Sequence, residues 1–150
     1  MMPAARVGAS VSGLASGDPG MIEVLVVDDD ALMRGLLAEW LSEAGYRVRQ
    51  AVHGGAALQM LRTHPAGLLI TDMDMPERDG AQTLDEARRL LPGMPVIAIS
   101  GGDRDGRKNW AATALTLGAA KAIAKPFDRK QLLSAVEEIL RSGNSLTMPG

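Results

Sequence analysis

Five short aliphatic runs, each followed by a stretch of helical period, leave few folds open to this chain. The runs are Ile22–Val27, Tyr46–Val52, Gly67–Thr71, Pro95–Ser100 and Lys121–Ala124. Several are apolar nearly throughout, the pattern of strands covered on both faces in a parallel sheet. In the first helical stretch, Ala31–Ala44, an apolar stripe of Met33, Leu36, Leu37, Trp40, Leu41 and Ala44 recurs at i, i+3, i+4 spacing. Asp30 can cap its start and Gly45 its end. The last helical stretch, Arg129–Arg141, carries Leu132, Leu133, Val136, Ile139 and Leu140 on one stripe. Asp128 with Gln131 forms a capping-box pattern ahead of it, and Asp79 with Gln82 repeats that pattern before the third helix. Right-handed crossovers between successive strands put helices on both faces of the sheet. The expected fold is therefore α/β: a doubly wound, five-stranded parallel sheet with five helices.

Length and composition agree with one such domain. The chain has 150 residues, 46% hydrophobic and 23% charged, so it can build a core. Aromatics amount to 3%, and the core must come from Leu, Ile, Val, Met and Ala. The absence of cysteine excludes disulfides, thiolate metal sites and thiol nucleophiles. Two histidines, His53 and His64, are too few for a multi-histidine metal site and read as surface residues at helix ends. A net charge of −2 argues against a nucleic-acid partner. No run reaches the ~18–20 apolar residues that span a bilayer, so a membrane role is not expected and a cytoplasmic location is. Nine of the first 20 residues are Gly, Ser or Pro, the composition of a flexible leader. Met21 opens the patterned segment and is a candidate translation start. Residues 142–150 read as a loose tail, leaving 21–141 as the folded unit.

In a doubly wound sheet the functional site lies beyond the carboxyl ends of the strands. After the first run stand Asp28, Asp29 and Asp30. The third leads into Asp72, Met73, Asp74, Met75 and Pro76. The fourth closes on Ser100, followed by Gly101 and Gly102, and the fifth is followed by Lys125 and Pro126. The second offers only Val52 and His53, as an edge strand would. Carboxylates, a hydroxyl and an ammonium from four strands are thus directed to one place. Asp30 is best spent as a helix cap, which leaves Asp28 and Asp29 as the acidic pair, with Asp29 and Asp30 as the other possible pairing.

Gathered carboxylates repel one another by ~1–4 kcal/mol per pair at 4 Å, depending on the dielectric. A hard divalent cation such as Mg²⁺ relieves this and commonly keeps room for water and phosphate. It also keeps a central carboxylate ionised and nucleophilic, and aspartate is a known route to acyl phosphates. Lys125 and Ser100 would then serve the oxygens of an incoming phosphoryl group. With no histidine base and no evident substrate pocket, the pattern favours a phosphoryl acceptor over a hydrolase.

The set Val26-Val27-Asp28-Asp29, Asp72-x-x-Met75-Pro76 with Asp79-Gly80, Ser100, and Lys125-Pro126-Phe127 resembles the receiver domain of two-component response regulators. The likeness runs from about Ile22 to Arg141. It implies a flavodoxin-like sheet of order 2-1-3-4-5 that accepts a phosphoryl group on Asp72 from a sensor histidine kinase or a histidine phosphotransfer protein. It also implies Mg²⁺ held by Asp29, Asp72 and the backbone carbonyl of Asp74, with Asp28 acting through water. Ser100 and Lys125 would contact the phosphoryl group, and a cis peptide often precedes the proline at Pro126. Phosphorylation would change binding to a downstream protein whose identity the sequence does not name. No turnover of a separate substrate is implied. Because the chain ends soon after the fifth helix, the likeness is to stand-alone regulators.

Three features depart from the family pattern. Ala122 stands where an aromatic is frequent, three residues before the lysine. The stretch from Ser100 to Gly118 is a few residues longer than usual, with Trp110 inside it as either a core or a docking residue. Asp74 adds a carboxylate beside the acceptor, able to slow or redirect hydrolysis of an acyl phosphate, or to be no more than a solvated loop acid. Two other readings remain. One is a pseudo-receiver that binds partners without phosphorylation. The other is a phosphatase resembling the haloacid dehalogenase superfamily, with Asp72 as nucleophile and Asp74 as general acid/base. Pro76 in place of the expected Thr opposes the second.

Overall fold

The computed structural model describes residues 22–74, 80–101 and 110–147. Chain order runs β1 (Glu23–Val27), α1 (Ala31–Glu43), β2 (Arg47–Ala51), α2 (Gly54–Thr63), β3 (Leu68–Asp72), α3 (Gly80–Leu90), β4 (Val96–Ser100), α4 (Trp110–Thr116), β5 (Lys121–Ala124) and α5 (Arg129–Thr147). All four strand pairings are parallel, and the sheet order is β2-β1-β3-β4-β5. This is the doubly wound parallel sheet that the sequence predicts, with the second strand at an edge and the 2-1-3-4-5 order that the family resemblance implies.

Alternation along the strands divides the core into two layers. Leu25, Val27, Leu69, Val96 and Ala98 face a cluster shared with Leu58 and Leu61 of α2, Leu84 and Ala87 of α3 and Ala114 of α4. Val24, Val26, Leu68, Ile70, Ile97 and Ile99 face the other way, onto Leu37 and Leu41 of α1 and Leu132, Ala135 and Val136 of α5. Strands β1, β3 and β4 are therefore aliphatic at consecutive positions because both faces are covered.

The caps match the sequence pattern. Asp30 accepts from the backbone N–H groups of Leu32 (3.0 Å) and Met33 (3.4 Å) at the start of α1. Asp128 and Gln131 exchange two 2.8 Å bonds at the start of α5. His53 caps α2 by accepting from the Ala56 N–H through Nδ1 at 3.0 Å, and His64 ends that helix; both are exposed. Gly45, at φ 101°, turns the chain out of α1, a left-handed conformation that costs glycine little.

Some expectations need correction. On α1, Leu36 is 39% exposed whereas Ala38 is buried, so the buried face is narrower than the stripe read from spacing. Helix α5 continues to Thr147, past the expected end at Arg141, since neither Ser142 nor Gly143 forces a stop as proline would. Trp110 opens α4 and packs, partly buried, against the α2/α3/α4 layer, which makes it a core residue. The leader, Met75, Pro76, Asp79 and the 102–109 stretch lie outside the described residues.

Core positions should dominate stability. Leu69 lies fully buried in the central strand β3, so Leu69→Ala is expected to cost about 2–5 kcal/mol in a urea melt. Leu32 is 84% exposed on α1, and Leu32→Ala should change stability by less than about 0.5 kcal/mol.

Candidate functional site

The strand register brings the polar residues to one level. Val27 pairs with Thr71, Asp72 with Ile99 and Ser100 with Ala124. Asp28, Asp72, Ser100 and Lys125 therefore emerge side by side from the carboxyl edge of the sheet. Backbone bonds extend the ladder past the strands: Asp28 N–H to Ala51 O (3.2 Å), Met73 N–H to Ile99 O (2.7 Å) and Lys125 N–H to Ser100 O (2.7 Å). The peptide bond between Lys125 and Pro126 is cis, as the family pattern anticipates.

Asp28 and Asp72 are almost completely buried, at 1% and 4% exposure, whereas Asp29 is exposed. Carboxylate oxygens of these three residues lie within 4.8 Å of one another. The acidic pair beside Asp72 is thus Asp28 and Asp29, and Asp30 is spent as the α1 cap. The Lys125 ammonium lies 3.5 Å from Asp72 Oδ1 and 4.0 Å from Asp28 Oδ2. Asp28 Oδ1 also accepts from the Asp30 N–H (2.9 Å), and Asp72 Oδ1 from the Asp74 N–H (3.2 Å).

Burial is the main influence on both buried acids. It pushes Asp28 up to about 6, with the Asp72 charge adding to the rise and the Asp30 N–H and Lys125 opposing it. Asp72 is raised as well, chiefly by burial, against the pull of Lys125 and the Asp74 N–H. Among the described residues, the Lys125 ammonium is set against three carboxylates, which leaves an excess of negative charge. Oxygen ligands at this spacing, two of them buried and reluctant to ionise alone, suit a hard divalent cation with room for water.

Ser100 is fully buried, and its hydroxyl donates to Asp74 Oδ1 at 2.9 Å. The Gly101 N–H donates to Asp74 Oδ2 at 2.6 Å. Asp74 is therefore a half-buried bridge between the end of β3 and the end of β4, not a solvated loop acid. Two further residues support the site: Arg34, which escaped sequence reading, and Gly80, read there only as part of the Asp79-Gly80 motif. Arg34 on α1 donates to the Asp28 carbonyl at 2.8 Å and to Gln50 at 3.2 Å, fixing the loop that presents the acidic pair. Gly80 packs on the back of the Asp72–Met73 backbone, where an added Cβ would fall 2.9 Å from the Asp72 carbonyl oxygen and against the Met73 Cα. The sequence signal for Gly80 is its pairing with Asp79; Arg34 carries none.

The raised Asp28 predicts a pH effect with a definite sign. A carboxyl whose folded value exceeds its ordinary 3.8 favours the protonated folded state. Its contribution is complete below the ordinary value and is lost as pH rises through about 6, by up to about 3 kcal/mol. In chelator at pH about 7.5, Asp28→Asn should melt above the wild type, and the gap should close toward pH about 4.5. A variant that melts at or below the wild type at the higher pH would contradict the burial argument.

Comparison with known proteins places the geometry in a family. The model of the response regulator receiver domain matches residues 24–137. The response regulator receiver protein CpdR of Brucella abortus is 33% identical over 125 residues, covering 80% of this chain and 98% of that protein. The transcriptional regulatory protein GlrR of Escherichia coli K12 is 33% identical over 124 residues, which span 83% of this chain but only 27% of GlrR. A response regulator receiver domain protein (CheY-like) from Methanospirillum hungatei superposes with a TM-score of 0.76 at 27% identity, covering 83% of this chain and 97% of that one. The chain belongs to the response regulator receiver domain family.

Proposed function

We propose that Asp72 is the phosphoryl acceptor of this two-component response regulator, and that the donor is a phosphohistidine on a sensor kinase or a histidine phosphotransfer protein. The observation that carries the reading is the Asp72 carboxylate, buried at the end of the central strand with Lys125 at 3.5 Å and two further carboxylates within 4.8 Å. An Asp72 oxygen attacks phosphorus, the P–N bond to the donor imidazole breaks, and that bond's electron pair leaves with the imidazole. The product is an aspartyl phosphate.

Asp28, Asp29, Asp72 and the Asp74 backbone carbonyl would hold Mg²⁺, with Asp28 acting through water. The ion supplies charge neutralisation for the acidic cluster and for phosphoryl oxygens. Lys125 sits where it can neutralise another phosphoryl oxygen. Its backbone N–H is bonded to the Ser100 carbonyl, so movement of either residue is felt by the other. The phosphoryl charge then biases the ends of β4 and β5 between two arrangements, changing affinity for a downstream protein. Ala122 on β5 leaves that switch without an aromatic partner at this position. The chain turns over no separate substrate, and no helix among the described residues is long and apolar enough to cross a membrane.

Intact mass after incubation with acetyl phosphate tests the acceptor. There the P–O bond to acetate breaks instead, and a single phosphoryl adduct is expected with Mg²⁺, absent from Asp72→Asn and reduced by chelator. An adduct on Asp72→Asn would sink the assignment, and failure of wild type to phosphorylate while folded and Mg²⁺-bound would favour a phosphorylation-independent module. Lys125→Ala should still bind Mg²⁺ but respond weakly to phosphorylation; an undiminished partner response would remove Lys125 from the switch. Sustained release of phosphate from a generic ester would instead indicate a phosphatase.

A further inference from the structure

The Asp74 side chain engages the Ser100 hydroxyl, which the family resemblance assigns to the phosphoryl group, and the backbone N–H of the next residue. Its two oxygens accept from two donors at the end of β4: the Ser100 hydroxyl at 2.9 Å and the Gly101 N–H at 2.6 Å. A hydroxyl carries one proton and a backbone amide one, so each can serve one acceptor fully at a time. The bridge is also anchored at its base, because the Asp74 N–H donates to Asp72 Oδ1 at 3.2 Å. One residue thus touches the acceptor through its backbone and holds the neighbouring strand end through its carboxylate. Bonds of this kind, with an ionised acceptor, are the stronger class of protein hydrogen bond.

We propose that the Asp74 carboxylate is an internal stand-in for phosphoryl oxygens, holding Ser100 and Gly101 at the end of β4 until a phosphoryl group on Asp72 displaces it. The proposal rests on the reading of Asp72 as the acceptor. Asp74 acts here as a positioning residue: it receives no phosphoryl group, and its effect passes through Ser100 and Gly101. The negative charge of the phosphoryl group repels the Asp74 carboxylate while attracting the two donors, so the exchange is driven from both sides. The carboxylate thereby sets how much of the phosphoryl interaction energy is spent on release before the end of β4 can move.

Beryllofluoride, which forms a tetrahedral phosphoryl mimic on a carboxylate oxygen, gives the test in the presence of Mg²⁺. It is titrated into ¹⁵N-labelled full chain, wild type, Asp74→Ala and Asp74→Asn, with the Gly101 amide as reporter. Asp74→Ala should bind about tenfold more tightly, the worth of about one released charge-assisted hydrogen bond. Asp74→Asn, whose amide oxygen can hold one donor but whose NH₂ cannot accept the other, should fall between. Without beryllofluoride, the Gly101 amide should exchange with solvent about tenfold faster in Asp74→Ala than in wild type. The same comparison in a Ser100→Ala background separates displacement from simple charge repulsion, because repulsion alone predicts an equal gain with or without Ser100. A smaller gain there supports the stand-in. Equal or weaker binding by Asp74→Ala, unchanged Gly101 exchange, or an undiminished gain without Ser100 would overturn it while leaving the acceptor reading intact. No adduct on any variant would overturn the acceptor reading, and the stand-in with it.

Discussion

Asp28 and Asp72 are buried side by side where the aliphatic sheet ends, and the surrounding structure is arranged to make that burial tolerable. A pair of unit charges at 4 Å interacts by about 4 kcal/mol at the effective dielectric of a protein surface. Unpaired carboxylates would respond by holding their protons, and the upward shift of both acids is that response. Lys125 offsets part of it, and backbone N–H groups of Asp30 and Asp74 offset more. The remaining excess of negative charge makes the site receptive to a divalent cation, and through it to phosphate.

Parallel pairing is what keeps these groups in place. Asp72 and Ser100 close their strands, and Asp28 and Lys125 follow directly on theirs, so none of the four depends on a long loop for its position. The ladder bonds past the strand ends carry that rigidity one residue further, to Asp28, Met73 and Lys125. Gly80 adds a constraint from behind, since the start of α3 approaches the Asp72–Met73 backbone too closely for a side chain. The site is thus stiff along β1 and β3. At the end of β4, Ser100 and Gly101 are held by a side chain, Asp74, and a side-chain contact can be exchanged without breaking the sheet.

Much of this was legible in the amino-acid order. Val24–Val27, Leu68–Thr71 and Val96–Ile99 announce strands covered on both faces, and the residues following them announce the site. Asp30 and the Asp128/Gln131 pair could be assigned as caps because capping acts over three residues. Leu36 was misread because helical spacing defines a stripe but not how wide a stripe the neighbouring strands and α5 will cover. The end of α5 was placed early for a related reason: residues of middling propensity stop or continue according to what surrounds them.

The sequence by itself determined the strand and helix alternation, the parallel sheet, and which side chains stand at its carboxyl edge, because these follow from local periodicity and from the handedness of crossovers. Tertiary structure alone decided which oxygens meet which donors. Nothing in the spacing of Asp74 from Ser100, 26 positions apart, says that their side chains bond, nor that Arg34 reaches the Asp28 carbonyl. Those contacts depend on the height at which each loop leaves the sheet and on the rotamer left to it there. Both are settled only when all the strands are in register.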